Sequence, residues 1–121
     1  VRVKQLENVL DLFYNKGGFE FTLNYLIGKS EMTPFDFYTE LSDYYYIKGY
    51  QHRSHSKEDL YRILYGYAMW KCRHSGVDRE EAIRYLEQDM KLRLNEDAVR
   101  KFMKKGWEFP QEKRWQENIR I

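Results

Sequence analysis

Apolar residues recur every three or four positions along almost the whole chain, and no segment alternates for long enough to read as a strand. Leu6, Val9, Leu10 and Phe13 form the first helical stripe, which Gly17 and Gly18 are expected to stop. Phe19, Leu23, Leu26 and Ile27 form a second, closed by Gly28. Thr33 followed by Pro34 reads as an N-cap with proline at the first helical position, opening a helix that carries Phe37, Leu41, Tyr44 and Tyr45 as far as Gly49. Ser56, with Glu58 and Asp59 behind it, starts a helix from about Lys57 to Arg73. That helix is apolar or aromatic almost all round, which predicts a central position. Asp78 and Asn95 cap two more, bearing Ala82, Tyr85, Leu86 and Met90, then Ala98, Val99, Phe102 and Met103 up to Gly106. The last stretch, "WEFPQEKRWQENIRI", has no clean period, and Trp107, Phe109 and Trp115 are expected to pin it back onto the helices. The pattern predicts an all-α fold: a single compact domain over residues 1–121 with about six helices and an irregular C-terminal tail.

Composition adds little to this and contradicts none of it. At 121 residues, folding buries roughly two-thirds of the surface exposed by the unfolded chain, which suits one domain. The 11 tyrosines place much of the aromatic surface at core edges, where the ring is dry and the hydroxyl finds a partner. A net charge of +2 is too small to imply a nucleic-acid partner, although from Arg100 onward seven Lys/Arg stand against three Glu, a local +4. A single cysteine excludes an internal disulfide and suits a reducing compartment, so the cytoplasm is expected. No apolar run is long enough to span a membrane. The chain opens "VRVKQLENVL", already in helical rhythm and without an initiator methionine, as a piece excised from a longer protein would.

The one stretch with chemical promise is "GYQHRSHSKEDLY", which holds His52 and His55, with Cys72 and His74 one helix downstream. A structural zinc needs four converging ligands, usually rich in thiolate. Cys72 and His74 are two residues apart, so on a helix they point about 200° apart. No metal site is therefore expected, and Cys72 reads as a small apolar packer. His52, Arg53 and His55 precede a helix N-terminus and are candidates for an anion or docking contact, against the plainer reading of a helix-capping connection. No G-x-S-x-G, glycine-rich phosphate loop or H-E-x-x-H occurs. Glu80, Glu81, Glu87 and Asp89 read as a solvated helix face. The residues themselves carry no catalytic signature.

Three stretches, "LENVLDLFYNKGGFEFTLNYL", "TPFDFYTELSDYYYIKGYQHRSHSKEDLYRILYGY" and "YLEQDMKLRLNEDAVRKFM", resemble the C-terminal helical domain of unknown function in bacterial cobalamin-binding radical S-adenosylmethionine proteins, often labelled Fe–S oxidoreductases. The block from Pro34 to Tyr50 carries most of the likeness. The resemblance implies a non-catalytic accessory domain that docks on an upstream catalytic domain of the same chain, or gates its substrate. It implies no cofactor in this domain: the 4Fe–4S cluster, S-adenosylmethionine and cobalamin belong upstream. The expected docking face is aromatic, built from Tyr44, Tyr45, Tyr50, Trp107 and Trp115. The rival is an independent helical module whose basic C-terminal segment binds nucleic acid or another acidic partner; a helix-turn-helix would strengthen it, and the junction around Asn95 is the only place for one. A small stand-alone enzyme using His52 or His55 ranks third.

Overall fold

The structure, a computed structural model, describes residues 2–109. Six α-helices follow one another: α1 (Arg2–Leu10), α2 (Glu20–Ser30), α3 (Pro34–Ile47), α4 (Lys57–Cys72), α5 (Arg79–Arg93) and α6 (Glu96–Lys105). Among the described residues there is no strand. α2 lies along α5 and α1 along α3, and α4 joins the two pairs by packing on both α3 and α5.

The predicted central helix is central. Leu60, Tyr61, Ile63, Leu64, Tyr65, Tyr67 and Ala68 of α4 are all buried. Around them close Val9, Phe13, Phe19, Leu26, Phe37, Leu41, Leu86, Met90 and Phe102. Each large side chain so buried contributes about 1.5–3 kcal/mol, an upper figure because unfolded chains already bury some apolar surface.

The helix starts follow the capping chemistry of the sequence. Thr33 accepts a hydrogen bond from the Asp36 N–H, Asp78 from that of Glu81 and Asn95 from that of Ala98. Ser56 and Asp59 form a reciprocal capping box. Two ends differ from expectation. The first helix does not run evenly to the glycine pair: beyond Leu10 it widens into a π-turn over Asp11–Asn15, which still buries Phe13. The second passes through Gly28 and ends at Glu31, which adopts a left-handed conformation with φ 55°. Gly28 has open space where a Cβ would stand, so nothing there requires glycine.

Gly18 is a different matter. Its φ is 94°, and a Cβ there would fall on the side chain of Arg93, whose guanidinium donates to the carbonyls of Lys16 and Gly17. Gly18→Ala is expected to cost about 2 kcal/mol through left-handed strain and displacement of Arg93, read as a lower urea midpoint at unchanged slope. A midpoint equal to wild type would show that the loop relaxes freely.

Candidate functional site

The "HRSHS" stretch is an ordered connection between α3 and α4. Gly49, at φ 77°, turns the chain into a short 3-10 turn over Tyr50–His52. His55 donates from Nε2 to the Tyr50 carbonyl at 2.8 Å and lies 3.2 Å from the Tyr45 hydroxyl. Its Nδ1 is enclosed and has no hydrogen-bond partner among the described residues. The Arg53 guanidinium lies over two rings, 5.3 Å from the centroid of Tyr50 and 4.7 Å from that of Phe109. His52 is exposed beside Gln51. The three side chains thus have three different surroundings, and two of them hold the segment after α6 or the end of α3 in place.

The tyrosine cluster is divided by the fold. Tyr45 and Tyr50 are 5% and 2% exposed, so their rings belong to the core. Tyr44 is half-buried and contacts Tyr50 and Tyr67 on its inner side. Trp107 stacks on Tyr65 at 5.2 Å and meets the edge of Phe102 at 4.8 Å, while Phe109 packs on Tyr50. Residues 106–109 are therefore pinned by Trp107 and Phe109, as expected from the sequence for this part of the tail. Trp115 lies outside the described residues.

Of the expected aromatic face, Tyr44 and Trp107 come together as walls of one groove of about 560 Å³. It follows α4 from Arg62 to Arg73, roughly 16 Å of helix axis. Gly66 lies on its floor, where a Cβ would collide with the Tyr44 hydroxyl; the missing side chain lets Tyr44 lie across the helix. Lys48, Arg73 and Arg79 are exposed along its edges. Interaction with Tyr65 pushes the Arg79 guanidinium above its ordinary value, so it stays charged at the start of α5. The sequence pattern alone did not find this groove. The available signal was Gly66, an isolated glycine inside a strongly helical stretch, which implies a close approach by a neighbour.

Activated groups are scarce among the described residues. Burial, with Asp78 adding to it, pushes the Cys72 thiol up, away from thiolate reactivity. Burial likewise raises the Tyr38 phenol to about 12. No group of three or more His, Cys, Asp and Glu side chains among the described residues could hold a metal ion. No described helix is long and apolar enough to cross a membrane. One acidic side chain is misplaced by the sequence reading: Asp89 is not solvated but 1% exposed.

At the α5–α6 junction only Leu94 and Asn95 separate the helices, and α6 exposes Arg100, Lys101, Lys104 and Lys105. The cleft beside it is also lined by Glu58 and Asp97, so acidic groups interrupt this basic face.

Fold and groove together define a small all-α domain with a basic-rimmed, aromatic-walled groove. The chain matches the DUF4080 family, proteins of unknown function, over residues 1–120, and it belongs to that family. No curated protein and no solved structure matches it.

Proposed function

We propose that this domain is a non-catalytic accessory unit of a cobalamin-dependent radical S-adenosylmethionine enzyme, docking on the catalytic domain of the same chain or gating its substrate in the cytoplasm. The observation that carries the reading is the groove in which Tyr44 and Trp107, with basic residues at the rim, present aromatic surface for a partner. The likeness of the stretch from Pro34 to Tyr50 to the C-terminal domain of such enzymes supports the choice of parent. One cysteine cannot supply the three thiolates of a C-x-x-x-C-x-x-C cluster site, so the residues of this chain do not fit the cluster, and the reading assigns it upstream.

The test is to sequence the reading frame upstream of the codon for Val1. It is expected to encode a cobalamin-binding α/β domain and a C-x-x-x-C-x-x-C motif. A start codon at or just before Val1 would sink the accessory role.

A further inference from the structure

We propose that the groove along α4 binds an acidic polypeptide segment carrying aromatic or apolar side chains. This deepens the docking role and rests on it: the catalytic domain would present that segment. Charge is the first argument. Among the described residues, Lys48, Arg62, Arg73 and Arg79 line the groove against one carboxylate, Glu108. Arg62 is committed internally, donating to the Gly106 carbonyl at 3.1 Å and pairing with Asp59 at 3.6 Å. Lys48, Arg73 and Arg79 remain at the rim, spaced along the groove and exposed, where they meet carboxylates without a large desolvation cost.

Shape is the second argument. The groove runs along about three turns of α4 and is open to solvent, which fits a run of chain better than a small molecule that must be enclosed on most sides. Tyr44, Met69 and Trp107 supply apolar wall between the charges. The pattern complements a segment in which acidic residues alternate with an aromatic or aliphatic one. Duplex DNA would meet the cations but leave this apolar wall unused.

The probe is the random copolymer of glutamate and tyrosine, titrated against the 121-residue protein at low salt and followed by fluorescence anisotropy. Binding is expected, weakening as salt rises. Lys48→Ala/Arg73→Ala, at two exposed positions, should lower affinity about tenfold, and Trp107→Ala by a similar factor. Arg100→Ala/Lys101→Ala on α6 removes the same charge elsewhere and should leave affinity within about twofold. Circular dichroism checks that each variant is folded. Absence of binding, an equal loss in the α6 variant, or DNA competing for the groove as strongly as the copolymer would each overturn the proposal. The two readings fail separately: binding without an upstream catalytic domain removes only the accessory role, and an upstream domain without binding removes only the acidic partner.

Discussion

Asp89→Ala is expected to destabilise the protein by about 3 kcal/mol, a large share of what a domain of this size has available. The reason lies at the start of α2. Its N-cap position is Phe19, which has no side-chain acceptor, so the cap supplies no partner for the Phe21 and Thr22 N–H groups. Asp89, on α5, supplies one from the far end of the chain. Its carboxylate accepts from the Phe21 N–H at 3.2 Å, the Thr22 N–H at 2.8 Å and the Thr22 hydroxyl at 2.7 Å. Alanine would leave these donors facing a small void inside the core. Asn is a milder change, worth about 2 kcal/mol, because its oxygen still accepts while its amide N–H₂ opposes a donor.

The pH dependence separates the two. Burial raises the Asp89 carboxyl above its ordinary 3.8, against the lowering effect of its hydrogen bonds to Thr22 and Phe21. The folded chain therefore holds this proton more tightly than the unfolded one. Its contribution to stability is complete below 3.8 and declines as pH rises through the raised folded value. Asn cannot titrate, so the stability gap between wild type and Asp89→Asn should narrow as pH rises across that window. Glu20 runs the other way. Its own N–H and that of Gly18 lower its carboxyl below 4.5, so its contribution is present above 4.5 and lost as pH falls through the folded value. Because Glu20 is common to both proteins, it cancels in the comparison. Denaturant melts of both proteins at several pH values decide it; a gap that widens with pH would mean that Asp89 is held ionised.

The second large effect is expected at Glu40→Leu. The ammonium of Lys71 is 2.9 Å from the Glu40 carboxylate, which also accepts from the Tyr67 hydroxyl at 2.7 Å. The Lys71 side chain is 7% exposed and, among the described residues, also meets the Met32 sulfur and the Trp70 ring, so removing Glu40 strands a charge in an apolar wall. Because Glu40 itself is 30% exposed, water can partly replace it, and the cost is about 2 kcal/mol. Glu40→Leu with Lys71→Met should recover most of that loss, and adding Tyr67→Phe should recover the rest, since a buried pair replaced by packed apolar groups is often neutral. Urea melts of the single, double and triple variants test this. A double variant no more stable than the single would show that Lys71 acts through packing rather than charge.

Much of the fold was legible because local chemistry decides it. Thr33, Ser56, Asp78 and Asn95 were identifiable as caps from residue type and position alone, and each makes the expected bond. The all-round apolar character of α4 announced its burial. Asp89 was misread because a carboxylate on an amphipathic helix looks solvated until one knows which helix start faces it. Gly28 was misread because glycine marks a stop where it takes the left-handed conformation itself, and here Glu31 takes it instead. Tyr45 and Tyr50 could not be separated from Tyr44 by sequence, since three aromatic residues close together all suit an interface. The groove depends on which helix Tyr44 crosses, a tertiary fact that Gly66 only hints at.

The remote cap also orders events in time. A ribosome releases α2 long before α5, so the nascent N-terminal third emerges with the start of α2 still lacking its carboxylate. Tyr61 adds to the delay: its hydroxyl bridges the Gly18 carbonyl at 2.8 Å and the Asp89 carbonyl at 3.2 Å, a clasp that needs all three segments present. Until α5 arrives, α2 is one short helix whose own packing and end bonds are incomplete, with little reason to hold its shape. This small helical domain therefore completes its core late in synthesis, and truncation anywhere before Asp89 leaves a chain without its closing contact.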